Sequence, residues 1–350
     1  MAEILTVLDE DTACPFTIHT QLFGPLVRSA PPSRQRELQA LASDAAVYAT
    51  RAKGEGTVRA YRSAWRQYEA WCSSLGFPPL NGEAEVIGLY IVKAAERLTV
   101  ATLRVHLAAI ATAHRLAGIP IDLKHPRIAL VLEGVSRTKG RRPRRQAVPL
   151  LPDILQRMLA AQPDTPLGLR NRAMLLIGFG GALRRSELVG LDLGDVREVP
   201  QRGLSLFIQR SKTDQHGDGE EVGIWSAADP ESCALVAWRR WLAVRGEVGD
   251  DQPLFCGVLK NGALTGRRLS AKAVERLLRD TATGLGLLDA ARYTGHSLRA
   301  GLATAAADED AQLHDIMRQT RHKSADVARR YIRSRYLWKN NVTERVFRKG

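Results

Sequence analysis

The chain has 350 residues, with 51 Lys and Arg against 37 Asp and Glu, and hence a net charge of +14. That length allows one or two domains with packed cores, and so large a cationic excess favours a polyanionic partner, nucleic acid before others. Four scattered cysteines (Cys14, Cys72, Cys233, Cys256) without redox or zinc spacing argue against a disulfide scaffold, and the longest apolar run, Ala173 to Leu183, contains glycines and is too short to cross a bilayer.

The amino terminus is acidic early and lacks the charged-then-apolar pattern of an export signal, so the expected location is the cytoplasm, with no membrane. Over residues 1–35 no period is sustained. Pro25, Pro31 and Pro32 predict a mobile arm, joined to a helix over Arg34 to Tyr48. From Thr57, helical spacing sets Val58, Tyr61, Trp65, Tyr68, Cys72 and Leu75 on one face, with Gly76 as the stop. That stripe reads as core rather than as base-stacking aromatics. Arg59, Arg62 and Arg66 lie on another face, open to two readings: a solvated surface or a set of phosphate contacts.

Further helices are expected over Glu83 to Arg97, after the N-cap Thr99, and from Pro126 at a first helical position. His106 and His114 have no metal partners spaced near them and read as packing or surface residues. Residues 36–136 thus form a small all-α domain. The run that follows, Arg137, Lys139, Arg141, Arg142, Arg144 and Arg145 with Gly140 and Pro143, predicts an extended basic linker over 137–147, either a plain tether or a strap along a DNA backbone.

A second domain, 148–350, is expected to be mixed α+β. Helices are predicted over Leu150 to Ala161 and Leu167 to Phe179. Another opens before Arg184, one is capped by Asp229-Pro230, with Trp238 and Trp241 as packing anchors, and one follows Ser270. Leu204, Leu206 and Ile208 alternate with Ser205, Phe207 and Gln209. This predicts a strand whose partner is Glu221 to Trp225, in a hairpin with Lys212 near its turn.

The chemistry concentrates between His296 and Tyr331. His296 and Arg299 are three apart and share a helix face; Arg321 and His322 follow, and Tyr331 sits in a basic run. A tyrosine, histidines and an arginine are the parts needed to attack a phosphodiester with a phenol, and Arg184, in Gly181-Ala-Leu-Arg184-Arg-Ser-Glu187, supplies a second guanidinium. Two arginines can compensate phosphate charge where other enzymes use Mg²⁺, and the chain carries no acidic cluster suited to a metal. Each motif alone has a plain reading: Arg184 and Glu187 as a surface ion pair, Tyr331 as core, Lys212 as a loop lysine. Together, and in this order, they point to one site.

The ordered set Arg184, Lys212, His296, Arg299, His322, Tyr331 resembles that of the tyrosine recombinase (phage-integrase) family, at a spacing close to its Cre-like members. The match extends from about Thr57 to Phe347. The resemblance implies an all-α core-binding (SAM-like) domain, an interdomain linker and a catalytic domain. It implies Tyr331 as nucleophile forming a 3′-phosphotyrosyl bond, with Arg184 and Arg299 clamping the phosphate. His296 would assist proton transfer, Lys212 would protonate the leaving 5′ oxygen, His322 would donate to a phosphate oxygen, and Glu187 would orient a neighbouring group. No cofactor is implied. The partner would be double-stranded DNA bearing an inverted repeat, bound by a dimer and paired by a tetramer. Arg321 departs from the glycine often found before that histidine. Trp338, Val342, Val346 and Phe347 form an apolar stripe in a tail, 335–350, that either docks on its own domain or, as in the family, on a neighbouring subunit.

Overall fold

In the computed structural model the described residues are 24–51, 54–140, 147–209, 219–326, 328–329 and 341–347. They fall into two units that divide between Arg144 and Arg145. No described helix is long and apolar enough to cross a membrane.

The first unit is helical: α1 (Gly24–Ser29), α2 (Pro32–Arg51), α3 (Glu55–Ser74), α4 (Ala84–Ala95), α5 (Val100–Leu116) and α6 (Pro126–Lys139). The expectation of a helix-free arm up to residue 35 is corrected by α1 and the start of α2. Pro25 and Pro32 stand in first turns, where a missing N–H removes no helical bond. Trp65, Tyr68 and Cys72 of α3 are buried against Ile87, Tyr90, Leu103, Ile110 and Ile128. Leu75 lies past the end of α3 and is exposed, so the stripe ends one turn earlier than its spacing implies. His106 and His114 are interior packing residues. Tyr90 Oη and His106 Nδ1 are 2.7 Å apart, His114 Nδ1 is 2.9 Å from Ile110 O, and burial lowers both imidazole pKa values.

The α6 helix runs through Lys139, which corrects the extended reading for the first residues of the basic segment. Gly140, at φ 71, is the first residue able to leave the helix in a left-handed turn, so Arg137 and Lys139 occupy the last helical turn. There Arg137 pairs with Glu133 at 2.6 Å and Lys139 Nζ donates to Leu98 O at 3.2 Å.

The second unit contains α7 (Pro152–Ala160), α8 (Pro166–Gly180), α9 (Arg185–Gly190), β1 (Val196–Val199), β2 (Gly203–Ile208), β3 (Glu220–Trp225) and α10 (Ala234–Arg245). It continues with β4 (Cys256–Val258), β5 (Leu264–Arg268), α11 (Ala271–Gly284), α12 (Gly295–Asp308), α13 (Leu313–Thr320) and α14 (Val342–Phe347). The α8 helix is apolar nearly all round, from Ala173 to Gly178, and is accordingly central, packed against α10 and α12. The three strands β1-β2-β3 form an antiparallel meander in which Leu206 lies opposite both Val196 and Val222. Leu204, Leu206 and Ile208 face the core. Asp229-Pro230 opens a short 3-10 turn rather than α10 itself, which begins after Cys233. Trp241 is fully buried, and its Nε1 donates to Leu254 O at 2.8 Å.

The helix that carries His296 and Arg299 is seated by a close backbone approach. Leu150 N donates to Ser297 O at 2.9 Å, and a Cβ added to Gly301 would stand 2.0 Å from Leu150 O. Only glycine lets the 148–150 segment lie on α12 at this point.

Candidate active site

The site begins at the end of α8. Gly181 and then Ala182, buried at φ 47, turn the chain so that their carbonyls meet guanidinium groups. Arg184 follows in extended backbone at φ −70, ψ 151. It is the N-cap of α9 and not inside it, which corrects the expected helix start. Glu187 reaches back to accept from the Arg184 amide at 2.9 Å and also pairs with the Arg184 guanidinium. The Arg184 side chain keeps 20% exposure whereas Glu187 keeps 1%, so a ligand can reach the arginine but not the carboxylate. Arg185 points elsewhere, to Glu275 of α11.

The α12 helix is capped by Thr294. Its hydroxyl accepts from His296 N at 3.3 Å while its amide donates to Ser297 Oγ at 3.0 Å. His296 therefore sits in the first turn, with Arg299 one turn on. Arg299 is 1% exposed. Its Nη1 donates to Ala182 O at 3.1 Å and its Nε to His322 Nε2 at 3.4 Å.

His322 emerges just beyond α13. Thr320 Oγ1 donates to Ile316 O at 2.6 Å and lies 2.7 Å from His322 Nδ1. A hydroxyl has one proton, so here it accepts from Nδ1–H, and this network assigns a neutral imidazole with a bare Nε2 facing Arg299. Burial first, then the charges of Arg299, Arg184, His296 and Arg321, push the His322 pKa down to about 4. His296, although exposed as a residue, is also lowered, by partial desolvation and then by Arg299 and Arg184.

His322 Nε2 thus accepts from Arg299, whereas a role on phosphate requires it to donate. A bound phosphodiester would set negative charge beside the same arginines and raise the imidazole pKa. Binding near pH 6 is therefore expected to take up as much as about one proton per protomer. Calorimetric binding enthalpies in buffers of differing ionisation heat would read this, and His322→Asn should reduce the difference. In the free protein the sign is the reverse. A depressed histidine pKa leaves stability intact above the unfolded value of about 6.5 and erodes it as pH falls from there toward the folded value.

Arg321, noted in the sequence only as a departure from glycine before His322, has a place in the site that its sequence did not show. Its side chain is 3% exposed and its Nη2 lies 2.7 Å from Glu187 Oε2. The only sequence signal was its place before His322 at a helix end. Burial raises the Glu187 pKa, but Arg321 and then the Arg184 amide and guanidinium outweigh it, and the net shift is downward. Glu187→Ala would leave two guanidinium groups without their shared carboxylate. Loss of one partner of a buried pair costs about 3–5 kcal/mol. For a unit of this size that corresponds to a fall of roughly 10 °C in melting temperature. Calorimetry on wild type and variant is the check.

Arg184, Glu187, His296, Arg299, Arg321 and His322 thus converge on one positively charged site, where Arg184 and Arg321 share the buried Glu187 carboxylate and Arg299 stands against His322. Such forks match phosphate oxygens. Among the described residues, no group of three or more His, Cys, Asp or Glu is placed to hold a metal ion. Lys212 and Tyr331 lie outside the described residues, as do Arg141, Arg142, Arg144, Arg145 and Trp338. In the first unit, Arg59, Arg62 and Arg66 are all exposed on α3, on the face away from Trp65 and Tyr68.

The phage integrase family profile matches residues 149–337. An integrase/recombinase xerD homolog of Selenomonas ruminantium is 34% identical over 307 residues, covering 85% of this chain and 87% of that protein. The recombinase cre of Escherichia phage P1 is 27% identical over 295 residues, covering 80% and 84%. Among solved structures, the fold is similar to the XerH site-specific recombinase bound to palindromic difH substrate, with a TM-score of 0.62, 17% identity and coverage of 94% and 96%. It is also similar to a lambda integrase dimer bound to a COC′ core site, with a TM-score of 0.54, 18% identity and coverage of 81% and 91%. On the extent of the family match and the identity to the xerD homolog, the chain belongs to the phage integrase family of tyrosine recombinases.

Proposed function

We propose that this protein is a site-specific recombinase that breaks and rejoins double-stranded DNA through a 3′-phosphotyrosyl intermediate, exchanging strands between two target sites by way of a four-way junction. The observation that carries the reading is the convergence of Arg184, Arg299, His296 and His322, from three separate segments, on one cationic site. Tyr331 attacks the scissile phosphate, and Arg184 and Arg299 hold its non-bridging oxygens. His296 assists the proton at the phenol, Lys212 delivers one to the leaving 5′ oxygen, and His322, once protonated, donates to phosphate. The covalent bond retains the phosphodiester energy, so a second 5′-hydroxyl can reverse the step on another strand without ATP.

Residues 36–136 act as the core-binding domain, with Arg59, Arg62 and Arg66 on the DNA backbone, and the basic segment 137–147 links it to the catalytic domain. A nicked suicide substrate is the test. Wild-type protein should give a denaturant-stable protein–DNA adduct, because the nicked strand diffuses away before religation. No adduct on DNA that the protein demonstrably binds would instead favour a non-catalytic DNA-binding regulator.

Assembly is read as a dimer on an inverted repeat and a tetramer on two sites, with the tail docking on a neighbouring copy. Val342, Val346 and Phe347 of α14 are 72%, 68% and 82% exposed, an apolar stripe that wants a cover. Deleting the residues after Ser334 is expected to abolish paired-site complexes while sparing binding to a single site. Unchanged assembly in a gel-shift or light-scattering experiment would remove the idea.

A further inference from the structure

The α13 helix ends on Arg321 at φ 54, ψ 42, a left-handed conformation that strains a residue with a Cβ. Glycine would carry no such strain. The arginine placed there instead sends its side chain inward, where it meets Glu187, the 181–182 turn and, within its own helix, Gln319 O at 3.5 Å. Nη2 donates to Glu187 Oε2 at 2.7 Å. Nη1 donates to Gly181 O at 3.0 Å, and Nη2 also reaches Ala182 O at 3.4 Å, the carbonyl that receives Arg299. Nε stands 3.7 Å from Glu220 Oε2, at the start of β3 and just after the segment that carries Lys212. His322 is the next residue along the chain.

The consequence for Arg184 is geometric. Glu187 Oε2 is already occupied by the Arg184 amide and by Arg321, so the Arg184 guanidinium meets only Oε1, through Nη1. Without Arg321, a carboxylate beside a guanidinium would favour the two-pronged fork, which engages two of its nitrogens. We propose that Arg321 is a positioning residue: by holding Glu187 Oε2 and the 181–182 turn, it keeps Arg184 and Arg299 presented to the scissile phosphate. With 3% exposure and its terminal nitrogens on Glu187 and the carbonyls of Gly181, Ala182 and Gln319, it does not itself bind the phosphate. This inference rests on the recombinase reading above.

The test compares single-turnover adduct formation on the nicked substrate in wild type, Arg321→Gly, Glu187→Gln and the double variant. Arg321→Gly also relieves the strained backbone, so it should fold. It is expected to slow cleavage at saturating DNA about tenfold, the size typical of coupling within one network. DNA affinity should move less than about threefold, since no phosphate contact is lost. In the Glu187→Gln background the same change should add little, because the effect travels through that carboxylate. Arg321→Lys, which keeps charge but not the fork, should fall between. A wild-type cleavage rate in Arg321→Gly would overturn the proposal, and so would an equal loss in both backgrounds. Absence of an adduct from wild type would count against the recombinase reading itself. Thermal unfolding of the same four proteins would then still decide the pair: non-additive melting shifts support it, and additive shifts overturn it.

Discussion

Tyr331→Phe is expected to abolish the covalent protein–DNA adduct while leaving DNA affinity unchanged. The substitution removes one oxygen and keeps the ring, so the loss reports on the nucleophile rather than on packing. Loss of a nucleophile leaves only the residual effect of binding and charge, a fall of at least about 10⁴-fold. A free phenol titrates near pKa ~10 and is a poor nucleophile at neutral pH. In the proposed reaction the guanidinium charges of Arg184 and Arg299 would favour the phenolate and stabilise the charge that develops on phosphate in the transition state. Mass spectrometry of a trypsin-digested adduct should locate the nucleotide on the peptide bearing Tyr331. A modified residue elsewhere, or an adduct that persists in the variant, would reassign the nucleophile.

Arg299→Ala is expected to slow adduct formation by about 10²–10³-fold, the cost of removing one preorganised donor from a charged transition state. Arg299 is almost fully buried, and its direction is set at two points, Ala182 O and His322 Nε2. A guanidinium fixed in this way needs no reorganisation when charge builds on the phosphate. Lysine should not substitute for it. An ammonium is a single point charge without the planar fork, and it cannot hold both the carbonyl and the imidazole at these angles while reaching a phosphate oxygen. Arg299→Lys should therefore remain at least about tenfold impaired, with most of the loss in the cleavage rate rather than in affinity. Removal of the charge should also raise the His322 pKa, since Arg299 is the first of the charges that depress it. Titration of the His322 ring by NMR would show the shift in the free protein, independently of catalysis.

Local signals in the chain decided much of the architecture. The stripe Trp65, Tyr68, Cys72 becomes a buried helix face because a 3.6-residue period leaves one side apolar whatever its partner. Thr99 accepts from Thr102 N and Pro126 opens α6, since capping and a missing N–H are properties of the first turn alone. Alternation of Leu204, Leu206 and Ile208 makes a strand with one face inward, and its partner is legible because a hairpin pairs neighbours in sequence. The set Arg184, His296, Arg299 and His322 was picked out by residue types suited to phosphodiester attack and by their resemblance to the family's ordered set.

Tertiary structure alone decided the rest. The strands β1, β4 and β5 are too short for a pattern and exist because their neighbours offer open hydrogen-bonding edges. Arg184 caps α9 rather than entering it, because the turn through Ala182 at positive φ uses up the residues before it. Whether Arg184 and Glu187 form a surface pair or a buried one cannot be read from their spacing. The answer came from Arg321, 134 positions downstream in the chain, whose guanidinium reaches the same carboxylate. A charge in the interior is tolerable only where its partners stand, and those partners are assembled by folding, not by adjacency in the sequence.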